Sequence, residues 1–219
     1  MNTTEVKDMF RSYADEDDNT FLTNNQVNLY LSQAYHEFRR QVCAIDPFIY
    51  SVEHLFTMPT SGIADLTTTT PVLLGETAVM GTKLERILRL ARINTTGDNQ
   101  VIRYLDAMPS ERTLGTWSYT FVNKKIITYA SENAAYRLEY IPFHNVDFNA
   151  HQAYIDDLDG FHDMIPLYAY GKYAIRDGAD SAQIIQESKR RLADLKGFLE
   201  SGRSREGSQY VSDFDNGNF

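Results

Sequence analysis

A single cysteine, Cys43, in 219 residues excludes an internal disulfide and any zinc site built from clustered cysteines. No apolar run approaches the ~18 to 20 residues that cross a bilayer, and Met1 to Thr20 is acidic and polar, unlike a secretory leader. The expectation is a protein made in the cytoplasm with no membrane partner. Cations are also short: 21 Lys and Arg stand against 30 Asp and Glu, a net charge of -9 with a pI near 5.0. The averaged field therefore repels phosphate and gives no support to nonspecific nucleic-acid binding by the whole molecule. The nearest basic stretches, Lys83 to Arg92 (KLERILRLAR) and Lys189 to Arg191, read as solvated faces of regular elements. Hydrophobic residues at 42% and charged residues at 23% exclude a fully disordered chain and suit one domain with an insertion. Tryptophan occurs once, whereas 14 Tyr and 12 Phe give an aromatic surplus that fits either a core or surfaces buried on association.

Signatures of chemistry are missing too. No GxSxG elbow is present, and Cys43 sits beside an apolar stripe, where a small buried hydrophobe is the default. Gly75 to Lys83 (GETAVMGTK) has its glycines one residue too far apart for a phosphate loop, and Thr82 precedes Lys83 instead of following it. Asp156 to Gly160 (DDLDG) lacks the alternating ligands and terminal Glu of a calcium loop and reads as a helix cap. His144, His151 and His162 lie near Asp147, Asp156, Asp157 and Asp163, residue types that bind divalent metals, but without the spacing that presorts ligands on one helix face. Glu85, Glu132 and Glu139 are candidate carboxylates for glycoside cleavage, a reaction that needs two of them at a set separation; strands also carry solvated Glu routinely. The expectation is therefore no catalytic residue, no metal and no cofactor.

What the chain has is periodicity. Val6, Met9, Phe10 and Tyr13 predict a short helix that fades into the acid run Asp15 to Asp18, where carboxylates oppose the macrodipole. Thr23 with Gln26 predicts a capping box, after which Val27, Tyr30, Leu31, Ala34, Tyr35, Phe38 and Val42 form one apolar stripe. Burying six or seven such side chains yields on the order of 10 to 15 kcal/mol of gross transfer energy, so the stripe is core. Past Pro47 the period drops to about two. IYSVEHLFTM, TTTTPVLL, KLERILRLARIN, Trp117 to Val122, Ile126 to Ala130 and AYRLEYIPF read as strands, with a hairpin at Asn123-Lys124-Lys125 and Tyr136, Leu138 and Tyr140 sharing one face. Arg103 to Glu111 predicts a short helix.

Residues 145 to 157 are polar and irregular. Asp159 then predicts the cap of a helix in which Phe161, Ile165, Tyr168, Ala169, Tyr173 and Ile175 recur, with Pro166 bending it or marking a late start. Gly178 ends that helix, and Asp180 or Ser181 caps a last one whose Ile184, Ile185, Leu192, Leu195, Phe198 and Leu199 face inward. From Arg203 only Tyr210, Val211, Phe214 and Phe219 are apolar, so this end is disordered or docks on a partner. The predicted fold is α+β: an antiparallel helical bundle (1–47 and 159–202) with an inserted small antiparallel β subdomain (48–145), an irregular connection (146–158) and an extended C-terminal docking tail (203–219).

Three segments, FLTNNQVNLYLSQAYHEFRRQVCAID, SYTFVNKKIITYASENAAYRLEYIPF and GFHDMIPLYAYGKYAIRDGADSAQIIQESKRRLADLKGFLESGRSREGSQYVSDFD, resemble the head-to-tail adaptor (connector or head-completion) proteins of tailed bacteriophages, particularly the short-tailed type. The likeness is one of layout over most of residues 20 to 215 and contains no catalytic signature. It implies a non-enzymatic virion protein assembled as a ring of twelve copies between the portal protein and a tail tube or nozzle protein. By the same implication DNA passes through the ring without specific binding, and the tail, with Tyr210, Val211, Phe214 and Phe219 as candidate contacts, meets the portal. A virion hydrolase of cell-wall polymer and a small regulatory binding module are the competing readings. Convergent carboxylates or bound metal would mark the first, and a portal-independent monomer or dimer the second.

Overall fold

The structure is a computed structural model that describes residues 1–15, 22–66, 84–94, 100–109, 114–123, 125–129, 134–144, 146–177 and 182–214, with side chains in the last helix described as far as Ser201. It is a mixed α+β chain of two compact units, Met1–Asp46 with Asn145–Phe219, and Pro47–His144.

The helical unit begins with α1 (Thr3–Tyr13), whose N-terminus is closed by a capping box between Asn2 and Glu5. Its chain exit turns through Asp15 at φ 53°, a left-handed conformation that Asp tolerates better than most residues. Helix α2 (Asn24–Ile45) starts at the Thr23–Gln26 box, in which side chain and backbone satisfy each other's orphan donors. Helix α3 (Met164–Asp177) packs on α1, α2 and the long final helix α4 (Ala182–Phe214). Pro166 lies in the first turn of α3, where its missing N–H costs nothing, so it marks a start and not a kink. Asp159 does not cap this helix: it opens a separate 3-10 turn, Asp159–Phe161, and α3 begins five residues later at Met164. Gly178, Asp180 and Ser181 lie outside the described residues.

Val27, Leu31, Ala34 and Phe38 of α2, Ile165 of α3 and Leu195 of α4 are fully buried. Tyr30, Tyr168, Tyr173, Ile184 and Leu192 are half-buried. Tyr30 and Tyr173 join one aromatic cluster across three helices: Phe10, Tyr30 and Tyr173 lie with ring centroids 6.1 to 6.3 Å apart, and Tyr170 joins Tyr173 to Tyr13 at 6.1 and 6.2 Å. Ile185 and Phe198, expected to face inward, are instead 44% and 56% exposed, and Ile175, at a recurring helical position of α3, is 71% exposed. Cys43 is only partly covered. Helical spacing places a residue on a face but does not say whether that face is covered. The backbone of α4 also continues beyond residue 203 to Phe214, where composition suggests a tail; extending an existing helix needs only one hydrogen bond per residue, whereas starting one is costly.

Residues 146–158, polar in sequence, are tied down from several sides. The Thr3 hydroxyl donates to the Ala150 carbonyl at 2.8 Å and accepts from the Gln152 amide at 2.8 Å. The Asn28 side chain accepts from the Phe148 amide at 2.8 Å. Val146, Phe148, Ile155 and Leu158 are buried between these anchors.

Among the described residues the strand unit holds eight strands in two sheets: β1 (Val52–Thr57), β8 (Ala135–Pro142), β3 (Leu84–Ile93) and β4 (Val101–Tyr104) in one, β2 (Ile63–Asp65), β7 (Lys125–Thr128), β6 (Ser118–Val122) and β5 (Asp106–Ala107) in the other. The first sheet is antiparallel; the second contains one parallel pair, β5 on β6, so the expectation of a purely antiparallel subdomain does not hold. Nor do the described residues of 103–111, which end at 109, form a helix: β4 and β5 occupy the start of that range, held by Leu105 N–H to Leu90 and Asp106 N–H to Trp117. Apolar residues there (Tyr104, Leu105, Ala107) fit either period, and pairing with neighbours decides it. The first and last strands pair with Val52 opposite Tyr140, which brings the two ends of the unit side by side. Phe56, Leu90, Tyr136, Leu138 and Tyr140 from one sheet and Ala64, Tyr119 and Ile126 from the other share a single core. Asn123, at φ 51°, turns the β6–β7 hairpin, and GETAVMGTK lies outside the described residues.

Several of these tyrosines have phenols displaced upward, Tyr13, Tyr119 and Tyr140 chiefly by burial, and Tyr168 to about 12 by burial and then by Glu37. In the unfolded chain they ionise near pH 10. Between the two values the unfolded state binds fewer protons, so stability is full below pH 10 and falls as pH rises from there towards 12. Urea unfolding from pH 8 to 12 should show the midpoint dropping only above about pH 10; a flat profile contradicts the burial of these phenols.

Candidate docking site

Three helix faces built on i, i+3, i+4, i+7 spacing meet in the helical unit and leave a hollow of about 320 Å³. Leu167, Tyr168 and Ile175 supply the α3 wall, and Ile184, Ile185 and Leu192 the α4 wall, with Glu37 and Gln41 of α2 closing the third side. A second hollow of about 310 Å³, lined in part by Ala44, Ile45 and Lys196, shares Gln41 and Leu192 with the first, so the two form one groove beside α2 and α4. Charge stays at the rim, on Glu37, Lys172 and Lys189. Ile175 and Ile185 are exposed because this groove is open. Such a surface is shaped for an apolar partner and offers no convergent polar groups to orient a small substrate.

Gly171 forms part of the groove, and a methyl there would lie 4.0 Å from Ile184 Cγ2, an ordinary contact. A glycine in mid-helix costs stability relative to alanine.

The histidines and acids considered for a metal do not gather. Among the described residues no three or more metal-ligating side chains form a group. His151 Nδ1 lies 2.9 Å from the Thr4 hydroxyl on the surface, and His144 is exposed in the other unit. His162 and Asp156 do meet, in a buried polar network. His162 Nε2 is 2.6 Å from Asp156 Oδ1, and since a carboxylate only accepts, that nitrogen carries the hydrogen. The same oxygen accepts the Leu158 amide at 2.9 Å, and Asp156 Oδ2 accepts the Tyr35 hydroxyl at 3.2 Å. Arg39 stands with its guanidinium 6.0 Å from the Tyr35 ring centroid. Burial first, and the Asp156 charge second, raise the Tyr35 phenol far above its usual value, so it stays a neutral donor. The groove shares no residue with this network. Its effect is to fasten residues 156–162 to α2.

Asp157 and Asp163 have separate partners. The Tyr154 hydroxyl donates to Asp157, a bond that pushes the phenol up to about 12 although the residue is exposed. Arg191 donates to Asp163 at 2.6 Å, and Arg190 pairs with Glu187. Of the candidate catalytic carboxylates, Glu139 is engaged by Arg89 at 3.8 Å, Glu85 is exposed, and Glu132 lies outside the described residues. Tyr210, Val211 and Phe214 fall on the last turns of α4, and Phe219 lies outside the described residues.

The chain matches no protein-family model and no curated protein. No helix among the described residues is long and apolar enough to cross a membrane.

Gly171→Ala should stabilise the fold by about 0.5 to 1 kcal/mol in urea unfolding, and a loss would show that the groove wall lacks the room described. Asp156→Ala should cost on the order of 3 kcal/mol, because it strands a buried imidazole and a buried phenol. Asp156→Asn should cost less; if both changes cost under about 1 kcal/mol, the network is not a fastening.

Proposed function

We propose that the chain is a structural adaptor of a tailed-phage virion, a non-enzymatic protein that forms a ring between the portal and the tail. The observation that carries this reading is the open apolar groove of the helical unit, with Ile175 71% and Ile185 44% exposed beside it. Burying such side chains contributes about 1.5 to 3 kcal/mol each, while association costs roughly 4 to 15 kcal/mol in lost freedom. A contact confined to the groove is therefore marginal between two isolated copies. In a closed ring every copy has two neighbours and no open end, so weak contacts add up. The sequence resemblance supports twelve copies and an antiparallel helical bundle bearing the β insertion, with the groove taking the neighbouring copy.

The net charge of -9 suits a conduit as well, because a wall that repels phosphate lets DNA slide where a cationic one would hold it. In this reading the end of the chain, from Arg203, meets the portal through Tyr210, Val211, Phe214 and Phe219, apolar residues in an otherwise polar segment. Removing residues 203–219 should leave the thermal unfolding of both units almost unchanged and abolish co-sedimentation with portal rings. A truncated chain that still joins the portal contradicts the assignment of that segment.

A further inference from the structure

The strand unit carries a feature that groove and tail leave unused. Arg92 of β3 stands directly opposite Arg103 of β4, like charges in the cross-strand position that normally holds opposite ones. Both guanidiniums lie over a single ring, that of Trp117, at 5.8 and 5.1 Å from its centroid. Three residues back along β3, on the other face of the strand, Arg89 lies 4.4 Å from the Phe48 ring centroid and 5.7 Å from that of Tyr104, which is 51% exposed. Arg103 and Arg86 are exposed and make no ion pair among the described residues. Arg92 and Arg103 thus form a ridge of two arginines stacked on one aromatic ring, the composition of residues that dominate protein–protein contacts.

Charge identifies what the ridge meets. The strand unit contains nine Lys and Arg and nine Asp and Glu, whereas the helical unit contains 12 against 21 and so carries the whole net charge of -9. Within the helical unit, the connection preceding α3 is the acidic extreme: no Lys or Arg occurs between Arg137 and Lys172. Asp147, Asp157 and Asp159 are exposed there beside Tyr154, itself 63% exposed. We infer that the Arg92–Arg103–Trp117 ridge of one copy docks on the acidic connection of the helical unit of a second copy. A ring needs a heterologous contact, made from two different surfaces on the same chain, and these two are complementary in charge. A nucleic acid fits the observations less well, since a phosphate polymer reaching the ridge also meets the field of a molecule at -9.

This inference rests on the ring reading and names one of its contacts. The test is sedimentation velocity of the full chain, from about 10 mM salt, where charges reach roughly 30 Å, to about 1 M, where they reach roughly 3 Å. The wild type should self-associate at low salt and lose that association at high salt. Arg92→Glu with Arg103→Glu should weaken association at least about tenfold, as should Asp147→Lys with Asp157→Lys. Each variant repels its own copies but keeps one native face for the other, and the reversed faces are complementary too, so mixing the two should restore the association that each has lost alone. If the double arginine variant does not fold, Arg103→Glu alone carries the test, because that side chain is exposed. The inference is overturned by a wild type that stays monomeric at low salt, by ridge variants that associate like the wild type, or by mixed variants that remain monomers. It is also overturned if the wild type binds a 20-base-pair DNA duplex and the ridge variant does not, which assigns the ridge to nucleic acid. Ridge variants that still form rings on the portal sink this contact alone, whereas a wild type that forms none sinks the ring reading.

Discussion

The packing of α3 against α1, α2 and α4 is the constraint on which the helical unit depends, and it works by dividing the α3 surface into two jobs. Met164, Ile165, Ala169 and Ala174 are buried, while Tyr170 and Tyr173 reach into the aromatic cluster with Phe10, Tyr13 and Tyr30. The stripe across the helix from Tyr170 and Tyr173, made of Tyr168, Gly171, Lys172 and Ile175, is left to form the groove with α4. A helix of 14 residues has few sites to spare, and glycine at 171 removes side-chain bulk where α4 approaches. Core and groove are thus two consequences of one arrangement: the side chains that hold α3 in place also fix the stripe it presents.

The buried network around Asp156 extends that arrangement to irregular chain. Backbone outside helices and sheets needs partners for its polar groups, and here side chains supply them: Asn28 for the Phe148 amide, Thr3 for Gln152, Asp156 for Leu158. The acidic stretch before α3 is consequently a placed surface. Its exposed carboxylates can therefore act as a fixed patch, which is what docking by charge requires.

Much of this was legible locally. The Thr23–Gln26 box, the α2 stripe from Val27 to Val42, and the shared face of Tyr136, Leu138 and Tyr140 follow from spacing over a few residues, and the structure shows each of them. What was not legible depends on distant partners. The anchoring of residues 146–158 uses Thr3 and Asn28, more than a hundred positions away. The short strands at 101–107 look helical or extended until β3 and β6 are placed beside them. For the site, the apolar residues of α3 and α4 were visible, but Ile175 and Ile185 could not be separated from Ile165 and Leu195 without knowing which face the neighbouring helices cover. Arg92 and Arg103 lie eleven positions apart, and only the strand register sets them opposite each other over Trp117.

In the proposed ring the open apolar face is completed by sister copies around a central channel. Imaging of the full chain mixed with purified portal rings tests this most directly. The account predicts closed rings of the chain seated on the portal, with α3 and α4 at the boundary between neighbouring copies. Isolated single copies on the portal, or rings in which the groove faces solvent, would contradict it.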